Sequence, residues 1–106
     1  MKITINNQIL AGNLGDGWKD NDEAADSLAE FTKKRYREII EKEYPVAEID
    51  IDIDVKYNTS GCSRTATVCC TPPDYSTEDK IETTLDGFDD AIWLEFCELY
   101  GDDLGI

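Results

Sequence analysis

The chain predicts an α+β fold: a small antiparallel sheet with two long helices packed on one face, in the order β(β)-α-β-β-α. Three observations predict it. From Ala47 to Tyr57 apolar and charged residues alternate without a break, which is the period of a half-buried strand. Two longer stretches, over 20–43 and 76–100, repeat their apolar residues at spacings of three and four, the period of an amphipathic helix. Clusters of Gly, Pro and Asn separate these stretches, as turns do.

At the N-terminus, Lys2–Ile5 and Gln8–Ala11 are β-like pieces around Asn6-Asn7, fitting either one bent strand or a tight hairpin. Three glycines between Gly12 and Gly17 mark a loop. Asp20-Asn21-Asp22-Glu23 then reads as a helix start, with cap-type residues first and acids in the opening turn. Ala24, Ala25, Leu28, Phe31, Tyr36, Ile39 and Ile40 trace the apolar side of that helix, and Pro45 ends it.

In the alternating strand, Ile49, Ile51, Ile53, Val55 and Tyr57 point one way; Glu48, Asp50, Asp52, Asp54 and Lys56 point the other. Asn58-Thr59-Ser60-Gly61 supplies a turn, and Ser63–Thr71 is expected to return as a second strand paired with the first in a hairpin. Pro72-Pro73 closes it, and Ser76-x-x-Asp79 resembles a capping box at the start of the second helix. Ile81, Leu85, Phe88, Ile92, Phe96 and Leu99 form that helix's stripe, with Trp93 and Tyr100 beside it. Gly87 weakens it by about 1 kcal/mol; Gly101 is the expected C-cap, leaving Asp102–Ile106 as a short acidic tail.

At 106 residues this reads as one acidic domain, 1–106, able to bury a modest core without staples. No apolar run approaches the 18 or so residues of a membrane span. Met1–Ile5 alternates and meets polar Asn6-Asn7-Gln8 at once, unlike a signal peptide, so a cytoplasmic location is expected. The four cysteines, Cys62, Cys69, Cys70 and Cys97, include no C-x-x-C pair, and the chain has no His. The common zinc spacings are therefore missing, and reduced thiols are expected. Cys69 and Cys70 would point to opposite faces of a strand.

Charge is the dominant feature. Ten Lys and Arg stand against 24 Asp and Glu, a net charge of −14. Such a chain repels nucleic acid and anionic lipid and attracts basic partners. Eight basic and 13 acidic residues lie in 1–56, net −5; two basic and 11 acidic lie in 57–106, net −9. The basic cluster Lys33, Lys34, Arg35, Arg37 and Lys42 is expected to pair along its own helix with Glu30, Glu38 and Glu41.

Against that background the row Glu48, Asp50, Asp52, Asp54 stands out. Its members lie two residues apart, about 6.6–6.8 Å along a strand, close to the roughly 7 Å between neighbouring phosphates of a nucleic-acid strand. An ordinary polar face also needs hydrophilic residues, but four like charges in a row repel one another. The row, with Asp86, Asp89 and Asp90 of the second helix, is the candidate partner-binding surface; one continuous surface would require the helix acids to adjoin the strand.

Catalysis is not expected. Asp54-Val55-Lys56 matches the acid-x-Lys tripeptide of metal nucleases, but it is common by chance and no insertion builds a pocket around it. Asp16–Glu23 is calcium-loop-like, yet Asn21 stands where the sixth-position Gly is needed. A Ser or Cys nucleophile would have no His base, and Gly12-x-x-Gly15-x-Gly17 lacks the Lys-Ser/Thr of a phosphate-binding loop. No metal or cofactor is expected.

In size, acidity and compactness the chain is similar to the small anti-restriction and anti-CRISPR proteins of phages and mobile elements, several of which imitate nucleic acid. The likeness is one of composition and scale, shares no motif and carries no residues across. It implies a non-catalytic inhibitor that occludes a DNA- or RNA-binding surface, its partner a basic nucleic-acid-binding protein. The competing expectation is an assembly module, a homodimer in its simplest form, acting through a sheet edge or an aromatic patch around Trp18, Trp93 and Tyr100.

Overall fold

The computed structural model describes residues 1–62 and 65–105. Strand β1 (Lys2–Leu10) leads through a 3-10 turn (Ala11–Leu14) to helix α1 (Asn21–Glu43). Strands β2 (Glu48–Lys56) and β3 (Thr67–Thr71) follow, and helix α2 (Tyr75–Leu104) completes the order. The class is α+β with two long helices on a small sheet, as the periodicities predict.

The sheet differs in one respect. Its order is β2-β1-β3, with β1 parallel to β2 and antiparallel to β3. The sheet is therefore mixed, and β2 and β3 are its two edges, not a hairpin. The connection between them explains this. It docks on the turn at the end of β1: the Gly12 amide donates to the Thr59 carbonyl at 2.7 Å. Asn13 adds two bonds to Gly61, donating to its carbonyl and accepting from its amide, each at 3.0 Å. A side chain at position 12 would sit 2.7 Å from the Thr59 oxygen, so only glycine lets the chain cross here. The crossing carries it past β1 towards the far edge. Ser63 and Arg64, expected in the returning strand, lie outside the described residues.

β1 suits the centre because it is long enough to pair with both neighbours and carries a single charge, at Lys2, against the five charged residues of β2. Ile3 and Ile5 are fully buried, and Thr4, Asn6 and Gln8 opposite them are neutral. Asn6-Asn7 does not break it. The Asn7 amide nitrogen donates to the Tyr36 hydroxyl at 3.1 Å, and its oxygen accepts from the Gln8 backbone amide at 2.8 Å. That amide lies beyond the reach of β3, which pairs only with Lys2–Asn6.

Both helices cover the face carrying Ile3, Ile5, Ile49, Ile51, Ile53, Val68 and Cys70. α1 begins where its capping residues place it, with the Asp20 side chain accepting from the amides of Asp22 and Glu23, and buries Ala24, Ala25, Leu28, Phe31, Tyr36 and Ile40 in the core. α2 starts earlier than Ser76: Asp74 is its cap, taking the Thr77 amide at 3.1 Å and the Thr77 hydroxyl at 2.8 Å. It also continues through Gly101 to Leu104, and Gly105 is the cap residue, its amide donating to Gly101 at 2.9 Å. A Cβ at Gly105 would collide with the Gly101 carbonyl oxygen. The loop before α1 holds this end, through the Lys19 amide on the Leu104 carbonyl at 3.0 Å. Asp102–Leu104 is therefore helix, not tail.

The apolar stripe of α2 is rotated from the one predicted. Ile81, Leu85, Ile92 and Phe96 are buried, whereas Phe88 and Leu99 are 41% and 59% exposed. The inward margin runs instead through Asp89, Trp93 and Tyr100, each partly buried. Phe96 is fully buried, with its ring centre 5.5 Å from Trp18, 6.0 Å from Phe31 and 4.9 Å from Tyr100. Trp18 is buried there too, its indole N–H donating to the Leu14 carbonyl at 3.1 Å. Of the aromatic residues expected as an association patch, Trp18 is core, and Trp93 and Tyr100 are partly buried against it.

Candidate partner-binding face

With both helices on one side, the other face of the sheet is bare. Period two places Glu48, Asp50, Asp52 and Asp54 on it, and all four are exposed. The register sets Lys2 beside Glu48, Thr4 beside Asp50, Asn6 beside Asp52 and Gln8 beside Asp54. Beyond them, Thr71, Cys69 and Thr67 face Lys2, Thr4 and Asn6 across β1. One margin of the face is therefore anionic and the rest neutral and polar, except for Lys2.

Little neutralises the row. Among the described residues its one salt bridge joins Asp54 to Lys56 at 2.9 Å. Of the basic side chains of α1, the two arginines are occupied elsewhere, and among the described residues Lys33, Lys34 and Lys42 make none of the expected ion pairs. Arg35 binds Glu38 at 2.7 Å and Glu95 of α2 at 3.4 Å; Arg37 lies 3.9 Å from Glu41 and donates to the Ile49 carbonyl at 3.2 Å. Pairing with Glu38 and Glu41 matches expectation; the bonds to Glu95 and Ile49 extend it to other elements. Glu30 makes no such pair among the described residues.

The second-helix acids do not join this row. α2 packs on α1 and β3 on the opposite side of the sheet. Asp86 and Asp90 are exposed there, separated from the strand row by the sheet itself. Asp89 turns inward and accepts the Tyr36 hydroxyl at 2.6 Å. Burial pushes its carboxyl above the ordinary carboxylate range, as do the charges of Asp86 and Asp90, while the Tyr36 bond pulls it back. The Tyr36 hydroxyl is raised in turn, first by its own burial and then by Asp89.

Two further acids have internal roles that the sequence reading missed. Glu82 accepts the Val68 amide at 2.9 Å. Glu78 accepts the Cys70 amide at 3.2 Å and the Asp74 amide at 3.3 Å. These carboxylates cap the outer edge of β3. The available signal was their i,i+4 spacing on a helix that starts just after the strand: a helix folding back on that strand carries such a pair along its edge.

The four thiols are free. Cys69 is exposed on the bare face and Cys70 is buried behind it, the alternation expected of a strand. Desolvation pushes the Cys70 thiol up, with the Glu78 charge adding to it, and desolvation alone raises Cys97. Among the described residues no three His, Cys, Asp or Glu side chains converge as a metal site would require. No described helix is long and apolar enough to cross a membrane.

No family model, no curated protein and no solved structure matches the chain.

Proposed function

We propose that this protein is a non-catalytic acidic binding protein that engages the basic, nucleic-acid-binding surface of another protein through its bare sheet face and so occludes it. An inhibitor of the anti-restriction or anti-CRISPR kind is the specific form of this reading. One observation carries it: four exposed carboxylates line one strand of a face left uncovered by both helices, and among the described residues only Asp54 has a basic partner. At about 6.6–6.8 Å per step the row has the periodicity of a phosphate backbone, and a sheet face that neither helix covers lets it meet a groove without obstruction from them. Attraction at long range would speed encounter, and affinity would fall as salt screens it.

Affinity capture from a bacterial lysate at low and high salt tests this, comparing the wild type with Asp50→Asn/Asp52→Asn/Asp54→Asn. The expected result is a nucleic-acid-binding protein held by the wild type, released by salt or by added duplex DNA, and missed by the triple variant. A partner retained equally by both proteins at high salt would overturn the reading.

A further inference from the structure

The two edges of the sheet are finished differently. In β3, alternate amides face outward, and those of Val68 and Cys70 are taken by Glu82 and Glu78. That edge is closed to another strand. In β2 the Glu48 amide points inward, to the Met1 carbonyl at 3.0 Å. Alternation therefore turns the backbone groups of Ile49, Ile51, Ile53 and Val55 outward. Among the described residues, the one side-chain bond to that outward row is Arg37 on the Ile49 carbonyl, at 3.2 Å. At the far end Tyr57 reaches back to Asp26 of α1, its hydroxyl donating at 2.6 Å. Between these two ties to α1, no bond from another described residue closes the outer edge of Ile51–Val55.

Natural sheets cover or charge such edges because they recruit other strands. Here the charge also selects the recruit. A second copy pairing antiparallel with β2 would set one acidic row against the other on the same face, and like charges directly opposite destabilise a strand pair. A strand with Lys or Arg at every second position would instead place those side chains beside Asp50, Asp52 and Asp54.

We propose that the outer edge of β2 accepts, as an added strand, an extended segment of the partner with a basic residue at alternate positions. The proposal rests on the basic-partner reading above and makes it specific: the partner's main chain is bound as well as its charges. Backbone bonds would supply affinity and the alternate carboxylates would select the sequence, the division of labour seen in strand addition generally.

The test uses a blocked seven-residue peptide alternating Lys and Val, and two copies of it N-methylated on either all the Val or all the Lys amides. An added strand turns only one of these sets towards β2: the Val amides if antiparallel, the Lys amides if parallel. The expected result is that methylating one set weakens binding at least about tenfold while the other is tolerated, and that exchange at the Ile51 and Ile53 amides slows by about tenfold or more with the unmodified peptide. Equal binding of both methylated peptides, no slowing at Ile51 and Ile53, or no binding of the unmodified peptide at low salt would each overturn the proposal. Where the unmodified peptide binds but either of the first two results is found, loss of that binding in Asp50→Asn/Asp52→Asn/Asp54→Asn leaves the acidic-face reading standing; a peptide bound equally well by the triple variant would remove both.

Discussion

The carboxylates of this chain live in two settings. Along α2 the inward-lying acids are each used by the fold: Glu78 and Glu82 take strand amides, and Asp89 takes the Tyr36 hydroxyl. Along β2 four acids of the same chemistry stand exposed, and among the described residues their one bond is the exposed pair of Asp54 with Lys56. The contrast separates two reasons for acidity that composition merges into one net charge. An acid that accepts a buried donor is explained by stability, because leaving the donor unpaired costs free energy. An acid that repels its neighbours and accepts no buried donor is not explained that way, and the proposed partner would supply its reason.

The largest test of the contrast removes the edge caps. Glu78→Ala/Glu82→Ala strips the acceptors from the Val68 and Cys70 amides and loosens the start of α2 at Asp74. With two charge-assisted bonds lost at an edge that water partly reaches, the expected loss is about 2–4 kcal/mol, read by denaturant unfolding. Amide exchange at Val68 and Cys70 should quicken, and the uncapped edge should promote self-association. A loss no larger than about 0.5 kcal/mol, usual for an ordinary surface substitution, would show that these acids are as dispensable to the fold as those of β2.

Tyr36→Phe comes next. It leaves the half-buried Asp89 and the Asn7 amide without their shared hydroxyl, with an expected cost of about 1–3 kcal/mol. The pH dependence gives a second handle. Burial raises the folded carboxyl of Asp89 above its unfolded value, so the folded state holds its proton more tightly. Its contribution is fully present below the unfolded value and is lost as pH rises through the raised folded one. Stability attributable to Asp89 should thus fall with rising pH across that interval. In Tyr36→Phe, which removes the bond that lowers the folded value, the fall should move to higher pH; in Asp89→Asn it should vanish. Unfolding curves measured across the acidic range in the three proteins check this. An unchanged profile in Asp89→Asn would mean the carboxyl is not held where the geometry puts it.

These acids also show where sequence was and was not legible. The β2 face was readable because period two has only two outcomes, and Ile49, Ile51 and Ile53 could not all face water. α1 was readable from its cap at Asp20 and its stripe. Strand order was not, since alternation says which face a residue takes and nothing about which strand lies alongside. The clue was the connection from Tyr57 to Ala66, ten residues, longer than the two to five or so of a hairpin loop. In α2, Phe88 and Leu99 extended an apolar stripe whose true inward margin includes a charged residue. Asp89 could not be foreseen there without Tyr36, which lies 53 residues away in sequence. Hydrophobicity ranks residues singly, whereas an acid is admitted inside by its donor.

The smallest expected effect has the opposite sign, which makes it the sharpest. Asp50→Asn/Asp52→Asn/Asp54→Asn keeps side-chain shape and polarity on the bare face while removing three like charges from one strand. If the row serves only an outside partner, the variant should be more stable than the wild type, by about 0.5 kcal/mol at low ionic strength. Added salt screens the repulsion in the wild type, so the gain should shrink as ionic strength rises. The one ion pair lost, Asp54 with Lys56, is exposed and offsets little of this. Denaturant unfolding of both proteins at two salt concentrations decides it. A variant that is less stable at both would mean the row holds the fold after all. The contrast between the β2 acids and the α2 acids would then collapse, and with it the argument that the exposed row exists for a partner.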